Sequence, residues 1–241
     1  MHYVMSDIHG NMDKFQKMLR QIRLRPWDRL YILGDVIDRG PDGVEILKYI
    51  MRHKNFTLIK GNHEMYMCQA ICQESSEITD EVLDIFAIWF DNGGKVTYEA
   101  LLQEDKPEAS RIVSFVDESK SYIRLTVRGK EYFLVHAGLF WNPEFDLDKI
   151  LSLNERLGFL YEIRNGFLDR TVKMPFTVIA GHTPAKYLHE HVPDLTEEEK
   201  RRCSEHRMLL REDKIIIDCG CGGGHNLGCL RLEDMKEFYI S

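Results

Sequence analysis

The first third of the chain passes three times from a short apolar run into a polar, glycine-containing motif. Tyr3-Val4-Met5 leads to Ser6-Asp7-Ile8-His9-Gly10-Asn11, and Leu30-Tyr31-Ile32-Leu33 leads to Gly34-Asp35-Val36-Ile37-Asp38-Arg39-Gly40. Phe56-Thr57-Leu58-Ile59 then leads to Lys60-Gly61-Asn62-His63-Glu64. Asp35 follows Asp7 by 28 residues and Asn62 follows Asp35 by 27, about the length of a strand-helix unit. Between the motifs, Phe15, Met18, Leu19 and Ile22 keep helical spacing, as do Val44, Leu47 and Met51. Near-continuous apolar strands alternating with helices predict an α/β fold, with a parallel sheet covered on both faces. The three polar motifs then fall beyond the carboxyl ends of the strands, where such sheets form their ligand crevice.

Residues 65 to about 118 read as an inserted helical region. Val82, Ile85, Phe86 and Trp89 lie at i, i+3, i+4 and i+7 as a packing stripe, and Asn92-Gly93-Gly94 is a stop signal. Residues 121–127 and 131–135 alternate around Arg128-Gly129-Lys130, which predicts a hairpin delivering His136-Ala137-Gly138 at its end. Residues 176–180 form another apolar run, ending in Gly181-His182-Thr183-Pro184. Residues 215–217 end in Asp218 and a Gly-rich turn, and two short strands close the chain. Residues 194–213 are strongly polar, with Thr196 and Glu199 spelling a capping box and Glu197/Arg201 and Glu198/Arg202 spaced i,i+4. The default reading there is a solvated surface helix, and a flap over the crevice, about 187–213, is the sharper one. No linker or low-complexity tract divides the chain, so residues 1–241 read as one domain.

Composition narrows the classes. A chain of 241 residues with 44% hydrophobic and 29% charged residues builds an ordinary folded core. A net charge of −7 removes the electrostatic footprint of a general nucleic-acid binder. No run approaches the roughly 20 apolar residues of a membrane span. Met1 runs into the first motif with no room for a signal peptide, so a cytoplasmic protein with no membrane partner is expected. The six cysteines, Cys68, Cys72, Cys203, Cys219, Cys221 and Cys229, fit that compartment as reduced, partly buried thiols. A zinc site built from the Cys68/Cys72 and Cys219/Cys221 pairs would lack the C-x-x-C spacing of a common structural site.

The chemistry lies at the strand ends. Five motifs present Asp7, His9, Asp35, Asn62, His136 and His182, a mixed set of carboxylate, amide and imidazole donors suited to manganese, iron or zinc. Asp35 is the natural bridge, because one carboxylate can be shared by two ions about 3.5–4 Å apart. Two divalent ions outweigh two aspartates and attract a phosphate dianion, and a water between them becomes a nucleophile near neutral pH. His63, beside Asn62, is placed to protonate a leaving alkoxide, with Asp38 to hold the imidazole protonated and Arg39 to offer a planar fork to phosphate.

Asp7-x-His9-Gly10, Gly34-Asp35-x-x-Asp38-Arg39-Gly40, Gly61-Asn62-His63-Glu64, His136-Ala137-Gly138 and Gly181-His182-Thr183 together resemble the signature of the calcineurin-like metallophosphoesterases. More narrowly, they resemble the branch that holds serine/threonine phosphatases and symmetric diadenosine tetraphosphatases. Trp89 with Asn92-Gly93-Gly94 resembles its compact bacterial and phage-type members. The resemblance implies a βαβαβ sandwich with helices flanking the sheets and two divalent metal ions, manganese first among the candidates. It assigns Asp7, His9 and Asp35 to the first ion, and Asp35, Asn62, His136 and His182 to the second. It makes His63 the acid, supported by Asp38, and gives phosphate binding to Arg39, Asn62 and His63. A second phosphate-binding arginine is best matched by Arg164. Departures from the pattern are Ala137 for glycine, Lys60 for arginine and Cys219 for threonine.

The implied activity is a phosphomonoesterase of the serine/threonine phosphatase type, acting on a phosphoprotein or small phosphate ester. The alternative is a dinucleotide polyphosphate hydrolase. Glu64 leans toward the former, since polyphosphatases more often carry aspartate there. A non-catalytic metal-dependent binding module would have lost a ligand or the acid, and every expected position is filled.

Overall fold

The computed structural model describes residues 1–74 and 79–241, the side chains at 72–74, 81 and 165 aside. The predicted strand-helix alternation is present as β1 (His2–Met5), α1 (Met12–Ile22), β2 (Arg29–Ile32), α2 (Gly43–Met51) and β3 (Phe56–Leu58). β1 pairs parallel to β2 and β2 to β3, with Val4 opposite Tyr31 and Tyr31 opposite Thr57. The loops after all three strands therefore emerge at one edge.

Four helices follow: α3 (Asn62–Glu74), α4 (Asp80–Asp91), α5 (Lys95–Gln103) and α6 (Lys106–Asp117). The helical region starts three residues earlier than the sequence suggests, so Asn62 and His63 belong to the first turn of α3. The chain then forms the expected hairpin, β4 (Tyr122–Val127) and β5 (Lys130–Val135), around Arg128 and Gly129, both with left-handed φ. Residues 139–170, which carry no clear sequence pattern, form α7 (Leu147–Arg156), α8 (Phe159–Glu162) and a 3-10 turn, Asn165–Leu168. The remaining elements are β6 (Thr177–Ala180), α9 (Ala185–His191), α10 (Glu197–Ser204), β7 (Leu209–Leu210), β8 (Lys214–Ile216), β9 (Leu227–Arg231) and β10 (Lys236–Ile240).

The strands make two five-stranded sheets, ordered β10-β9-β1-β2-β3 and β4-β5-β6-β8-β7. Each is mixed, with a parallel centre: β1, β2 and β3 in one, β5, β6 and β8 in the other. The two sheets lie face to face with helices outside, the sandwich that the motif resemblance implies, and one of the two covers over the parallel strands is the second sheet. The period-2 rule explains why. In β5, Tyr132 and Leu134 join Val4, Leu33, Ile179 and Ile215 between the sheets, whereas Phe133 and Val135 pack outward beneath Ile150, Leu160 and Leu188. On the first sheet Tyr3, Met5, Leu30 and Ile32 face Phe15, Met18 and Leu47. Strands apolar on both faces need two covers, and the second sheet supplies one of them.

The polar segment behind His182 is not solvated all round. The capping box forms, with Thr196 N–H donating to Glu199 Oε2 at 2.8 Å and Glu199 N–H to Thr196 Oγ1 at 3.2 Å. Glu197 and Glu198 pair i,i+3 with Lys200 and Arg201 in place of the expected Glu197/Arg201 and Glu198/Arg202 pairs, Arg201 also reaches Glu205, and Arg202 turns away to Glu237. Glu199 and Cys203 face inward. The Glu199 carboxylate accepts from Arg170 and, at 2.9 Å, from Arg211, whose side chain is only 6% exposed. Among the described residues no helix is long and apolar enough to cross a membrane. Cys203, Cys219, Cys221 and Cys229 are buried thiols, and burial pushes Cys221 up to about 12. No metal-type cluster among the described residues contains a cysteine, and the Cys72 side chain lies outside them.

Removing Glu199 leaves the buried Arg211 guanidinium with Asp194 at 3.5 Å and the Leu168 carbonyl as partners but takes its nearest carboxylate away, which costs about 1–3 kcal/mol. Glu199→Ala should lower the unfolding free energy by that order in urea denaturation. A change below roughly 0.5 kcal/mol, typical of an exposed helix position, would show that α10 is not anchored.

Candidate metal centre

Asp7, His9, Asp35, Asp38, Arg39 and His182 all have left-handed φ, between 46° and 69°. They are six of the ten non-glycine residues with positive φ among those described. Such backbone costs on the order of 1 kcal/mol per residue and persists only where surrounding contacts over-determine it. Here the contacts are loop-to-loop. His9 N–H donates to Asp35 O at 2.9 Å, Asp7 N–H to Gly34 O at 3.1 Å, and Gly181 N–H to His136 O at 2.7 Å. The turns bend each side chain back over the strand ends, into one buried cluster.

Asp35 stands at its centre. Its Oδ1 lies 3.4 Å from His136 Nε2, and its Oδ2 lies 3.7 Å from both His9 Nε2 and His63 Nε2. Two triads of possible ligands share it: His9, Asp35 and His63 on one side, Asp35, His136 and His182 on the other. Asn62 Oδ1 sits in the second group, 2.9 Å from His136 Nε2 and 3.1 Å from His182 Nδ1. Asp7 lies outside both triads and accepts the His182 N–H on its two oxygens, at 3.1 and 3.0 Å.

The protonation states say what this cluster can hold. His9 Nδ1 lies 3.0 Å from Ile37 O and His136 Nδ1 lies 2.6 Å from Leu33 O, so each Nδ1 carries the hydrogen and donates it. Burial pushes His9 down to about 3 and lowers His136 and His182 as well, which keeps the rings neutral. The Nε2 lone pairs of His9 and His136 then face carboxylate and amide oxygens, acceptor against acceptor, and His182 turns its Nδ1 to the same amide oxygen. Burial and the surrounding carboxylates push Asp7 up, and they push Asp218 up to about 6. A buried pocket of converging lone pairs suits a cation. Imidazole, carboxylate and amide donors fit divalent transition metals, with the Nδ1-to-carbonyl bonds orienting the rings as ligands require.

The remaining predicted residues surround this centre. Asp38 is fully buried, and its Oδ2 lies 2.7 Å from His63 Nδ1. Burial works against a charged His63, but Asp35 and the Asp38 hydrogen bond prevail and raise its pKa. Its Nε2 lies 3.2 Å from Nη2 of the exposed Arg39. Arg164, the least specific assignment, comes to the same side as His182, with Nη1 3.4 Å from His182 O and its guanidinium over the Tyr187 ring. Lys60 turns away to the end of α6, bonding Asp117 O at 2.7 Å. Gly222, in the loop after Asp218, forms a wall so close that a Cβ would lie 2.3 Å from the His9 ring.

Two residues change meaning. Glu64, which leaned the sequence reading toward protein phosphatases, is fully buried and never reaches the crevice. It accepts the N–H groups of Asp35, Val36 and Gly61 at 2.8, 2.8 and 2.9 Å, tying the β2 loop to the β3 loop. It therefore reads no substrate. Trp89, assigned to packing, is fully buried as expected but also donates its indole N–H to Asp38 Oδ2 at 2.9 Å. Thr97 and Asp218 went unassigned; Asp218 had the signal of the other ligands, an acidic residue ending an apolar strand, while Thr97 had none.

A cluster of this composition, at the carboxyl ends of parallel strands in a two-sheet fold, defines a metal-dependent hydrolase of phosphate esters. The family model of the calcineurin-like phosphoesterases matches residues 3–217, and the chain belongs to that family. It is 26% identical to the symmetrical bis(5'-nucleosyl)-tetraphosphatase of Chromobacterium violaceum, over 99% of this chain and 94% of that protein. It is 30% identical to serine/threonine-protein phosphatase 1 of Salmonella typhimurium, over 64% of this chain and 69% of that protein. Its fold matches a protein serine/threonine phosphatase from Saccharomyces cerevisiae with a TM-score of 0.57 at 14% identity, covering 99% of this chain and 78% of the other.

The shared position of Asp35 makes a prediction about uptake. Asp35→Asn should weaken manganese binding at two sites together, each by more than about tenfold, measured by equilibrium dialysis with metal analysis. Loss of one ion with the other held at parental affinity would remove Asp35 from the bridging position.

Proposed function

We propose that the chain is a phosphomonoesterase of the serine/threonine phosphatase type. In this reading Asp7, His9 and Asp35 hold one divalent ion, and Asp35, Asn62, His136 and His182 hold the other. The observation that carries it is the Asp38–His63 pair, 2.7 Å apart, with His63 Nε2 on the far side of the ring 3.7 Å from the shared Asp35 carboxylate. When bound, divalent cations supply a water nucleophile at neutral pH and neutralise the phosphoryl oxygens. The chain's own residues do the rest. Arg39 and Arg164 orient the phosphate from the exposed and half-buried sides of the crevice. Asn62 and His63 close on it from the first turn of α3. Asp38 holds the hydrogen on His63 Nδ1, which leaves Nε2–H facing the ester oxygen to protonate the departing alkoxide.

Leaving-group chemistry favours an alcohol ester. An alkoxide is a very poor leaving group and needs that proton, whereas a nucleotide phosphate with a pKa of about 6 leaves readily without it. The second reading, a dinucleotide polyphosphate hydrolase, draws on a different observation: the Chromobacterium violaceum tetraphosphatase matches 99% of this chain. Residues 187–213 enter substrate choice through Tyr187, on which the Arg164 guanidinium rests.

A manganese-supplemented panel of phosphoserine, phosphothreonine and phosphotyrosine peptides, diadenosine tetraphosphate and cyclic nucleotides separates the two readings. Phosphoserine or phosphothreonine peptides should give the highest kcat/KM. Preference for diadenosine tetraphosphate would establish the second reading instead. On the preferred alkyl ester, His63→Asn should lower kcat by about 10²–10⁴-fold, with a much smaller loss on an activated aryl phosphate. Equal losses on both would remove His63 from the role of acid.

A further inference from the structure

We infer that Thr97 and Trp89 are positioning residues for proton delivery, and that α4, the Gly93 turn and α5 together brace the Asp38–His63 pair. The inference rests on the reading of His63 as the acid, and it concerns residues that none of the strand-end motifs contains.

Asp38 is a fully buried carboxylate, and among the described residues its side-chain hydrogen bonds beyond His63 come from this helical region. Its Oδ2, already facing His63 Nδ1, also accepts Trp89 Nε1–H at 2.9 Å. Its Oδ1 accepts Thr97 Oγ1–H at 2.6 Å. Asp38 N–H in turn donates to Thr97 Oγ1 at 3.0 Å, so one hydroxyl holds both the side chain and the backbone of the same residue. A buried carboxylate is fixed in rotation only while its oxygens have donors. With both oxygens satisfied, its one remaining direction points at His63 Nδ1, and that fixes which nitrogen faces the crevice.

The brace also holds the backbone. Asp38 and Arg39 are consecutive residues with φ of 69° and 66°. The N–H of the first goes to Thr97 and that of the second to Gly93 O, at 3.1 Å. Gly93 has φ of +95°, and a Cβ there would lie 2.9 Å from Arg39 Cγ, so only glycine fits between the helices and the turn. Packing alone accounts for the Trp89 ring, buried among Phe86, Phe90 and Tyr98. It does not account for an indole N–H and a buried hydroxyl both aimed at one carboxylate.

The test uses the full chain loaded with manganese, as Thr97→Val, Thr97→Ser and Trp89→Phe, with His63→Asn as reference. Melting temperature and bound metal are measured beside kcat on an alkyl and an activated aryl phosphate. Thr97→Val should lower kcat on the alkyl ester by about tenfold or more while the aryl ester loses less than about threefold. Trp89→Phe should shift in the same direction, and Thr97→Ser should recover most of the alkyl activity that valine loses. Should Thr97→Val fail to fold, Trp89→Phe decides by the same split. Equal losses on both esters, or no loss, alongside a preserved split in His63→Asn would overturn the inference and leave the acid intact. A His63→Asn variant with no split would bring down the acid assignment and this inference with it.

Discussion

Unprotonated imidazole nitrogens, a carboxylate and an amide oxygen turned toward one another in a buried pocket repel, and the crevice of this protein is built around that repulsion. His136 Nε2 lies 2.9 Å from Asn62 Oδ1 with no hydrogen to share, because the ring's proton is committed to Leu33 O on its other side. Such a cluster is favourable only around positive charge. The folded chain must hold the cluster together, and it does so through the loops. Left-handed backbone at six site residues, carbonyl acceptors behind two histidines and the Glu64 carboxylate clasping three N–H groups all fix the same strand ends.

The two-sheet architecture makes the convergence possible. Asp7, Asp35 and Asn62 come from the parallel strands of one sheet, and His136, His182 and Asp218 from those of the other. Face-to-face packing brings the two rows of strand ends together, and Asp35 lies where they meet. The helical region adds a third direction of support, through Asp38. Stability and chemistry are therefore coupled in residues distant in sequence, as with Thr97, 59 positions from Asp38.

Much of this was legible in the chain. Each strand end carries its ligand residue in a short motif with glycine, and a short motif survives translation into a loop because its geometry is local. The hairpin at Arg128-Gly129 and the capping box at Thr196 were legible for the same reason. What escaped was set by tertiary contact. The hydrophobic pattern by itself shows only strands apolar on both faces, which fits a helical cover as well as a second sheet; the sandwich was implied by the motif resemblance alone. Nothing local distinguishes Thr97 from any threonine in a helix, or reveals that Trp89 packs with its N–H aimed at a carboxylate. Glu64 entered the sequence reading only as a point of family comparison, and its burial shows what the side chain does: it serves the loops.

Asp35 is common to both groups of possible ligands, and the reading we propose has it join two metal ions in one centre. Electron paramagnetic resonance of the manganese-loaded protein, with metal content measured on the same sample, tests it most directly. The account predicts two manganese ions per chain and the spectrum of a magnetically coupled pair, as expected for ions about 3.5–4 Å apart. A single ion per chain, or two that give only the spectrum of isolated manganese, would contradict it.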